Sequence, residues 1–356
     1  MRGTFPWLTY GLAYTKLLRR IAIMSEHITL AHGNGGRHMR ELIEGVFARH
    51  LADPALDVQV DAAQIAVPPG DLFITTDGFT VKPLEFPGGD IGALAVHGTV
   101  NDLAVAGATP LYLTVNAFIE EGLPFTTLER LVASLAGAAR EARVRVVAGD
   151  TKVVPRGEGS GLYLATTGVG VRRPELQLGL AQIRAGDVLL VSGPVGDHGT
   201  AVMLAREQFG LRGDLQSDAA CVYPLTAALH DLPGLRFMRD PTRGGLATVA
   251  HEITRACQLG VRLHEERIPV RDPVRAVCDM LGYDPYYLAC EGRVVAVAEA
   301  AAAETALQRW RLLPQGNAAA IIGTVETGHR HVILQTLLGG ERLLEELEDD
   351  PLPRIC

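Results

Sequence analysis

The chain has 356 residues, 47% of them apolar, with 33 Lys and Arg against 41 Asp and Glu for a formal net charge of −8. That composition describes a globular protein of two domains and excludes a disordered or disulfide-stapled chain. The acidic balance speaks against nucleic acid as a principal partner, and beyond residue 25 charges break every apolar run well short of the ~18 residues a membrane helix needs.

Residues 1–25 contain no acid and set an apolar stretch at 5–14 among Arg2, Lys16, Arg19 and Arg20. Charges follow that stretch, no A-x-A site closes it, and Met24 stands just before the first well-patterned segment. A signal peptide is therefore set aside, and the segment reads as a disordered extension or a start placed too early. From 26 to 173 short β-type runs alternate with helical periodicity. After His38, Met39, Leu42, Ile43, Val46 and Phe47 repeat at helical spacing. The run 71–76 reads as a strand, 91–106 as a helix, 111–119 as a strand, 127–142 as a helix behind Thr126 or Thr127, and 144–148 and 161–171 as strands. Arg172, Arg173 and Pro174, followed by Gly186 and Asp187, mark a change of domain. The second half repeats the mixed pattern, with a strand at 188–192, helices at 199–208 and 245–259, and strands at 261–264, 294–298, 320–325 and 332–336. Residues 340–350 have charged, helix-like spacing. The end, Pro351, Leu352, Pro353, Arg354, Ile355 and Cys356, reads as an extended arm because two prolines exclude helix, and no core depends on Cys356, which lies beyond the last helix-like segment.

The five cysteines, Cys221, Cys257, Cys278, Cys290 and Cys356, form no C-x-x-C pair. That scatter argues for a reducing, cytoplasmic compartment and against a disulfide framework or structural zinc. His32, Gly33, Asn34, Gly35 and Gly36 precede a helix, where backbone N–H groups can approach a phosphate, although an ordinary flexible loop looks the same. Asp77, Asp150 and Asp240 each end a β-run. Magnesium takes such hard oxygens together with nucleotide phosphates, while a single aspartate of this kind is more often a turn or a cap. Asp102 resists that plainer reading, since a carboxylate among Val100, Leu103, Ala104 and Val105 is costly unless paired or metal-bound. Lysine occurs only at positions 16, 82 and 152. Lys152, beside Asp150 and Thr151, is read as an active-site amine because arginine cannot serve as a compact amine donor. Cys356 is too close to the end for a prenylation signal. It is either a thiol on a stiffened tether or an incidental thiol on a frayed terminus.

Taken together these residues resemble the HypE family of hydrogenase maturation proteins, within the superfamily of aminoimidazole ribonucleotide synthetase and selenophosphate synthetase. The resemblance runs from about Leu30 to Cys356. It rests on the glycine block above, Thr75 to Asp77, Phe86 to Gly92, Gly98 to Ala104, Gly149 to Val154, Gly196 to Gly199, Met238 to Leu246 and the terminal block, which sets this family apart from its relatives. It implies an α+β, two-domain aminoimidazole-ribonucleotide-synthetase-like fold. In that fold an N-terminal domain at 26–173 contributes its sheet to a barrel across a homodimer, a C-terminal α/β domain occupies 174–340, and a tail at 341–356 carries the reactive cysteine. It also implies ATP near the dimer centre on Gly33, Asn34, Gly35, Gly36, Asp77, Asn101, Asp102, Asp150 and Thr151, with magnesium (Mg2+) on Asp77, Asp102 and Asp240. The implied reaction is ATP-dependent dehydration of a carboxamide on Cys356 to a thiocyanate, assisted by Lys152 and Glu291, whose cyanide becomes an iron ligand of [NiFe]-hydrogenase. Cys290 departs from the asparagine frequent in the family. The implied partners are the carbamoyltransferase HypF and the HypC–HypD iron scaffold complex, with neither nucleic acid nor membrane. A small-molecule ATP-dependent synthetase of the same superfamily is the alternative, and the terminal cysteine speaks against it.

Overall fold

The computed structural model describes residues 26–206, 213–348 and 355–356. The expectations for residues 1–25, for the end of the 199–208 helix and for Pro351 to Arg354 fall outside them. Helix α1 (Gly36–Leu42) continues through a π-helical stretch, Ile43–Ala48, and a last turn that ends where Ala52 takes a left-handed conformation, φ 46°. The strands β1 (Asp71–Phe79), β2 (Glu85–Phe86) and β3 (Gly89–Asp90) lead into α2 (Ile91–Val105). The Asp90 carboxylate caps α2 by accepting from the backbone N–H groups of Gly92 and Ala93 at 2.7 and 3.1 Å. Nearly every α2 residue is buried, so this is a central helix rather than an amphipathic surface one. β4 (Thr109–Glu120), α3 (Phe125–Glu141) and β5 (Arg145–Val154) form a parallel βαβ unit, and β6 (Leu162–Arg172) returns between β4 and β1. α3 begins two residues earlier than its sequence suggests. Pro124 takes the N-cap place, and Thr126 and Thr127 lie within the first turn.

The four-stranded sheet runs β1-β6-β4-β5. Its inward row, which includes Phe79, Val115, Ala117 and Leu164, belongs to one core with α2 and α3. Its other face carries Leu72, Ile74 and Phe118, which are 62%, 72% and 40% exposed. Among the described residues the sheet does not close, and β1 and β5 remain edges.

The second half adds β7 (Val188–Val191), α4 (Asp197–Ala205), α5 (Tyr223–Ala227), β8 (Leu235–Arg239), α6 (Gly245–Cys257), β9 (Gly260–His264), α7 (Asp272–Leu281), β10 (Val295–Ala298), α8 (Ala300–Arg311), β11 (Ala320–Glu326), β12 (Val332–Gln335) and β13 (Glu341–Leu343). They build a seven-stranded sheet of order β13-β12-β9-β11-β7-β10-β8, antiparallel except for β12 beside β9. One face packs Leu246, Val249 and Ile253 of α6, and the other packs α8, whose Trp310 indole N–H donates to the Leu225 carbonyl at 2.9 Å. The helical reading of 340–350 is corrected at its start. Glu341–Leu343 pairs antiparallel with Ile333 to Gln335, and Leu344 is buried while its N–H donates to the Val332 carbonyl. Residues of α4 and α7, with Leu288 and Ile355, join the core of the first sheet, so the two halves share apolar packing.

Candidate active site

β1 alternates its side chains, and Thr75, Asp77 and Phe79 turn toward α2. A side-chain carbon at Gly98 of α2 would meet the Phe79 ring at 2.8 Å and stand 3.7 Å from Asp77 Oδ2, so glycine there lets helix and strand close up. One turn on, Asp102 Oδ2 accepts from the Thr75 hydroxyl at 2.8 Å. The opposite wall comes from the end of β8 and the turn after it. A cleft of about 550 Å³ opens between Thr75, Asp77 and Asp102 on one side and Arg239, Thr242 and Arg243 on the other.

Two carboxylates, Asp77 and Asp102, line this cleft, two buried ones, Asp240 and Glu291, lie within electrostatic reach of them, and all four resist ionisation. Burial pushes Asp77 up, with the Gly78 N–H and Arg243 opposing it. Burial likewise raises Asp102 against the Thr75 hydrogen bond, and Asp77 adds to the rise. Asp240, after β8, is pushed up to about 7 by burial and then by Asp102. Glu291, in the loop before β10, is driven well above the usual carboxylate range by burial, then by Asp240, Asp218, Asp77 and Asp102. Its Oε1 is buried without a hydrogen-bond partner. Removing acids from water beside one another favours their protonated forms until a cation compensates them. Among the described residues no three His, Cys, Asp or Glu side chains are already gathered closely enough to hold a metal ion. The donor chemistry, several hard oxygens short of positive charge, nevertheless fits a divalent cation arriving with phosphates.

The other expected half of the site lies elsewhere. Gly33 presses onto β5, where an added side-chain carbon would meet Val153 N and Cβ at 2.8 Å, while Gly35 and Gly36 take φ of 80° and 74° that favour glycine. Asn34 is exposed. On β5 the Lys152 ammonium sits 2.7 Å from Asp150 Oδ2, both side chains exposed, and the Thr151 hydroxyl is buried without a partner. Lys152 pairs in register with Phe118 and Asp150 with Asn116 on the uncovered face, whereas Asp77 pairs with Thr166 on the helix face. At ~4.8 Å per strand, β1 and β5 stand roughly 14 Å apart. One chain thus places Asp77, Asp102, Asp240 and Glu291 within electrostatic reach of one another and, separately, sets Gly33 against β5, whose exposed face bears Asp150 and Lys152 and whose buried face bears Thr151, without joining the two groups. Asn101, expected at the nucleotide, is placed in the interdomain packing. Its amide donates to the Ala220 and Glu291 carbonyls at 3.0 and 3.1 Å and accepts from the Val222 N–H at 2.8 Å.

The tail end is moored at the acid-bearing strand. The Cys356 main-chain oxygen accepts from the Thr80 N–H at 3.0 Å and from its hydroxyl at 3.3 Å, three residues beyond Asp77. Ile355, 2% exposed, belongs to the shared core, and Cys356, expected to be independent of any core, packs partly buried against it. Two further residues escaped sequence reasoning. Asp218 accepts from the backbone N–H groups of Glu291 and Gly292 at 3.2 and 3.4 Å and pairs with Arg293 Nε at 3.2 Å, which fixes the loop that presents Glu291. His198 binds the Ile355 carbonyl. No spacing announces Asp218, which sits in an ordinary polar run, and His198 was visible only as a member of a motif.

Residues 59–172 match the family model for the N-terminal domain of AIR synthase related proteins, and residues 184–335 match the one for their C-terminal domain. The cleft between an open N-terminal sheet and a C-terminal mixed sheet is thus the cleft of a two-domain, AIR synthase-like protein. Within that class the chain is 48% identical over 341 residues to carbamoyl dehydratase HypE of Azotobacter vinelandii, covering 95% of this chain and 100% of the relative. Its fold matches the crystal structure of hydrogenase maturation protein HypE in complex with ATP, with a TM-score of 0.88, 43% identity, and 92% and 99% of the two chains covered. It also matches the crystal structure of a HypE–HypF complex, with a TM-score of 0.76, 42% identity, and 86% and 99% covered. The chain belongs to the HypE carbamoyl dehydratase family.

Proposed function

We infer that this protein carries a carboxamide on Cys356 and dehydrates it at the expense of ATP to a thiocyanate, the source of cyanide ligands for the iron of [NiFe]-hydrogenase. The observation that carries this reading is the seat of Cys356, bonded to Thr80 beside the strand that bears Asp77. A free small-molecule substrate, the alternative for this superfamily, gives no account of a chain end moored there.

Amide oxygen is a poor leaving group. Phosphoryl transfer from ATP to the carboxamide oxygen converts it to phosphate, and loss of both nitrogen protons then closes the C≡N bond, giving thiocyanate, ADP and phosphate. Glu291 suits the role of base, since it has a buried, unpartnered oxygen and a proton affinity that burial and the neighbouring acids raise well above that of an ordinary carboxylate. Asp77, Asp102 and Asp240 are the residues that would hold magnesium, which when bound supplies charge neutralisation for phosphate. Tethering the substrate to the chain makes each step intramolecular.

A second copy of the chain completes the site in this reading. The exposed Leu72, Ile74 and Phe118 and the open edges β1 and β5 suit a homodimer in which two sheets form a barrel, burying the face that bears Lys152. HypF is then the carbamoyl donor, as the complex of a relative with HypF supports, and a HypC–HypD iron scaffold the acceptor. A cytoplasmic location suits Cys221, Cys257, Cys278 and Cys290, which form no disulfide. The test is intact-mass spectrometry of carbamoylated protein after addition of magnesium and ATP. Loss of one water from the C-terminal peptide is the expected result, and an unchanged mass with ATP consumed would sink the reading.

A further inference from the structure

The last peptide of the chain is gripped from two sides. Thr80 holds the Cys356 main-chain oxygen, and His198 Nε2 lies 2.9 Å from the Ile355 carbonyl oxygen. A carbonyl only accepts, so Nε2 carries the proton. Nδ1, 2.8 Å from Ser217 Oγ, then accepts from the serine hydroxyl, and Ser217 Oγ accepts in turn from the Ala219 N–H at 3.0 Å. The imidazole is wholly buried, and burial lowers its affinity for a second proton, so this one tautomer is held. Phe86 meets the ring edge-on, with centroids 5.4 Å apart. Ser217 is itself pinned, since its N–H donates to the Pro87 carbonyl at 2.8 Å and a side-chain carbon at Gly88 would strike Ser217 N at 2.7 Å.

The residue after Ser217 faces the other way. Asp218 accepts from the N–H groups of Glu291 and Gly292, and a side-chain carbon at Gly292 would lie 1.8 Å from the Asp218 carbonyl oxygen, so glycine is required for that approach. Two consecutive residues therefore join the seat of the tail to the loop that presents the candidate base.

We propose that His198 is a positioning residue, clamping the seated tail through the Ile355 carbonyl and, through the Ser217–Asp218 step, setting the tail's seat and Glu291 in register with each other. Neither His198 nor Ser217 touches the reacting atoms in this scheme. The part concerning Glu291 rests on the dehydratase reading; the clamp itself does not.

The experiment compares His198→Gln, whose side-chain amide can offer an N–H where Nε2 stood, with His198→Leu, which offers none, in the full-length protein. The first readout is the rate at which iodoacetamide alkylates Cys356 under native conditions, followed on the C-terminal peptide. The leucine variant should be alkylated roughly tenfold faster and the glutamine variant within about threefold of the parent, as the loss or retention of one buried hydrogen bond requires. The second readout is single-turnover dehydration of carbamoylated Cys356, which should slow in the leucine variant at unchanged ATP affinity and recover in the glutamine variant. A folded leucine variant alkylated at the parent rate overturns the clamp. Faster alkylation with dehydration undiminished overturns the link to Glu291. If the parent itself does not dehydrate its tail while the alkylation contrast persists, the dehydratase reading fails and the clamp stands. Should the leucine variant not fold, Ser217→Ala takes its place. It removes the hydroxyl that donates to Nδ1 and accepts from the Ala219 N–H while leaving the imidazole in place, and alkylation no faster than the parent then overturns the proposal.

Discussion

Lys152 lies on the opposite face of the four-stranded sheet from Asp77, three strands away. The register leaves no ambiguity, because Lys152 pairs with the exposed Phe118 while Asp77 pairs with the buried Thr166. If both serve one reaction, they meet only across two copies of the chain. Lys152→Ala and Asp102→Asn should each inactivate the homodimer. A mixed dimer purified through two different tags should regain about half the parent activity, since one of its two sites combines an intact lysine with intact aspartates. An inactive mixed dimer would show that the site is not shared.

The Lys152–Asp150 pair is solvent-exposed, and exposed pairs contribute little to stability. Lys152→Arg should therefore leave the melting temperature unchanged while slowing dehydration at least about tenfold, because a planar guanidinium cannot reproduce a compact ammonium contact with phosphate or the tail. Intact mass follows the loss of water, and calorimetry follows nucleotide affinity. Dehydration at the parent rate would make Lys152 a bystander.

The acid cluster sets a pH dependence with a definite sign. Asp102 and Asp240 ionise near 3.8 when unfolded, and in the folded protein both are raised, Asp240 to about 7. Between those limits the folded state binds more protons than the unfolded one, so this contribution to stability falls as pH rises from about 4 to about 7 and stays low above. Asp102→Asn removes one of the repelling charges. Melts in chelator from pH 5 to 8 should show a shallower decline and a higher midpoint at pH 8 than the parent, while magnesium-dependent ATP turnover is lost. A variant that melts lower at pH 8 and still hydrolyses ATP normally would mark Asp102 as a structural acid.

Asp77, Asp102 and Asp240 stood out because strand ends and an acid inside an apolar helix are local features; the fold sets Asp77 and Asp102 in one cleft and buries Asp240 within electrostatic reach of both. Lys152 stood out through composition, but which face it occupies depends on the register of β5 against β4, which no local pattern encodes. Asn101 beside Asp102 shared the same motif, yet helix geometry turns its amide toward Ala220 and Val222 instead. Glu291 came from resemblance alone, and Asp218, which holds its loop, sits far from it in sequence. The helix-like spacing at 340–350 gave way to pairing with β12, a competitor that exists only once the second sheet is built. Ile355 shows the same limit, since a proline-stiffened end gives no sign that its next-to-last side chain fills a pocket in the core.

That buried side chain separates two roles within the last two residues. Cys356→Ala should stay close to the parent melting temperature and ATP affinity and lose all carrier function, because the thiol is only partly buried against the core and the Cys356 main-chain oxygen that binds Thr80 remains. Ile355→Ala removes three buried carbons, a change that costs about 2–5 kcal/mol at a fixed core site. A tail that must leave its seat to meet a carbamoyl donor can detach without unfolding either sheet, so most of that loss should appear as release of the tail rather than as global instability. The expected signature is a Cys356 alkylation rate raised by tenfold or more, slower dehydration, and a melting midpoint displaced far less than by Leu113→Ala in the same core. If Ile355→Ala instead lowers the midpoint as much as Leu113→Ala and leaves alkylation unchanged, the end of the chain is a fixed part of the domain. It could not then carry a group between a partner and the cleft.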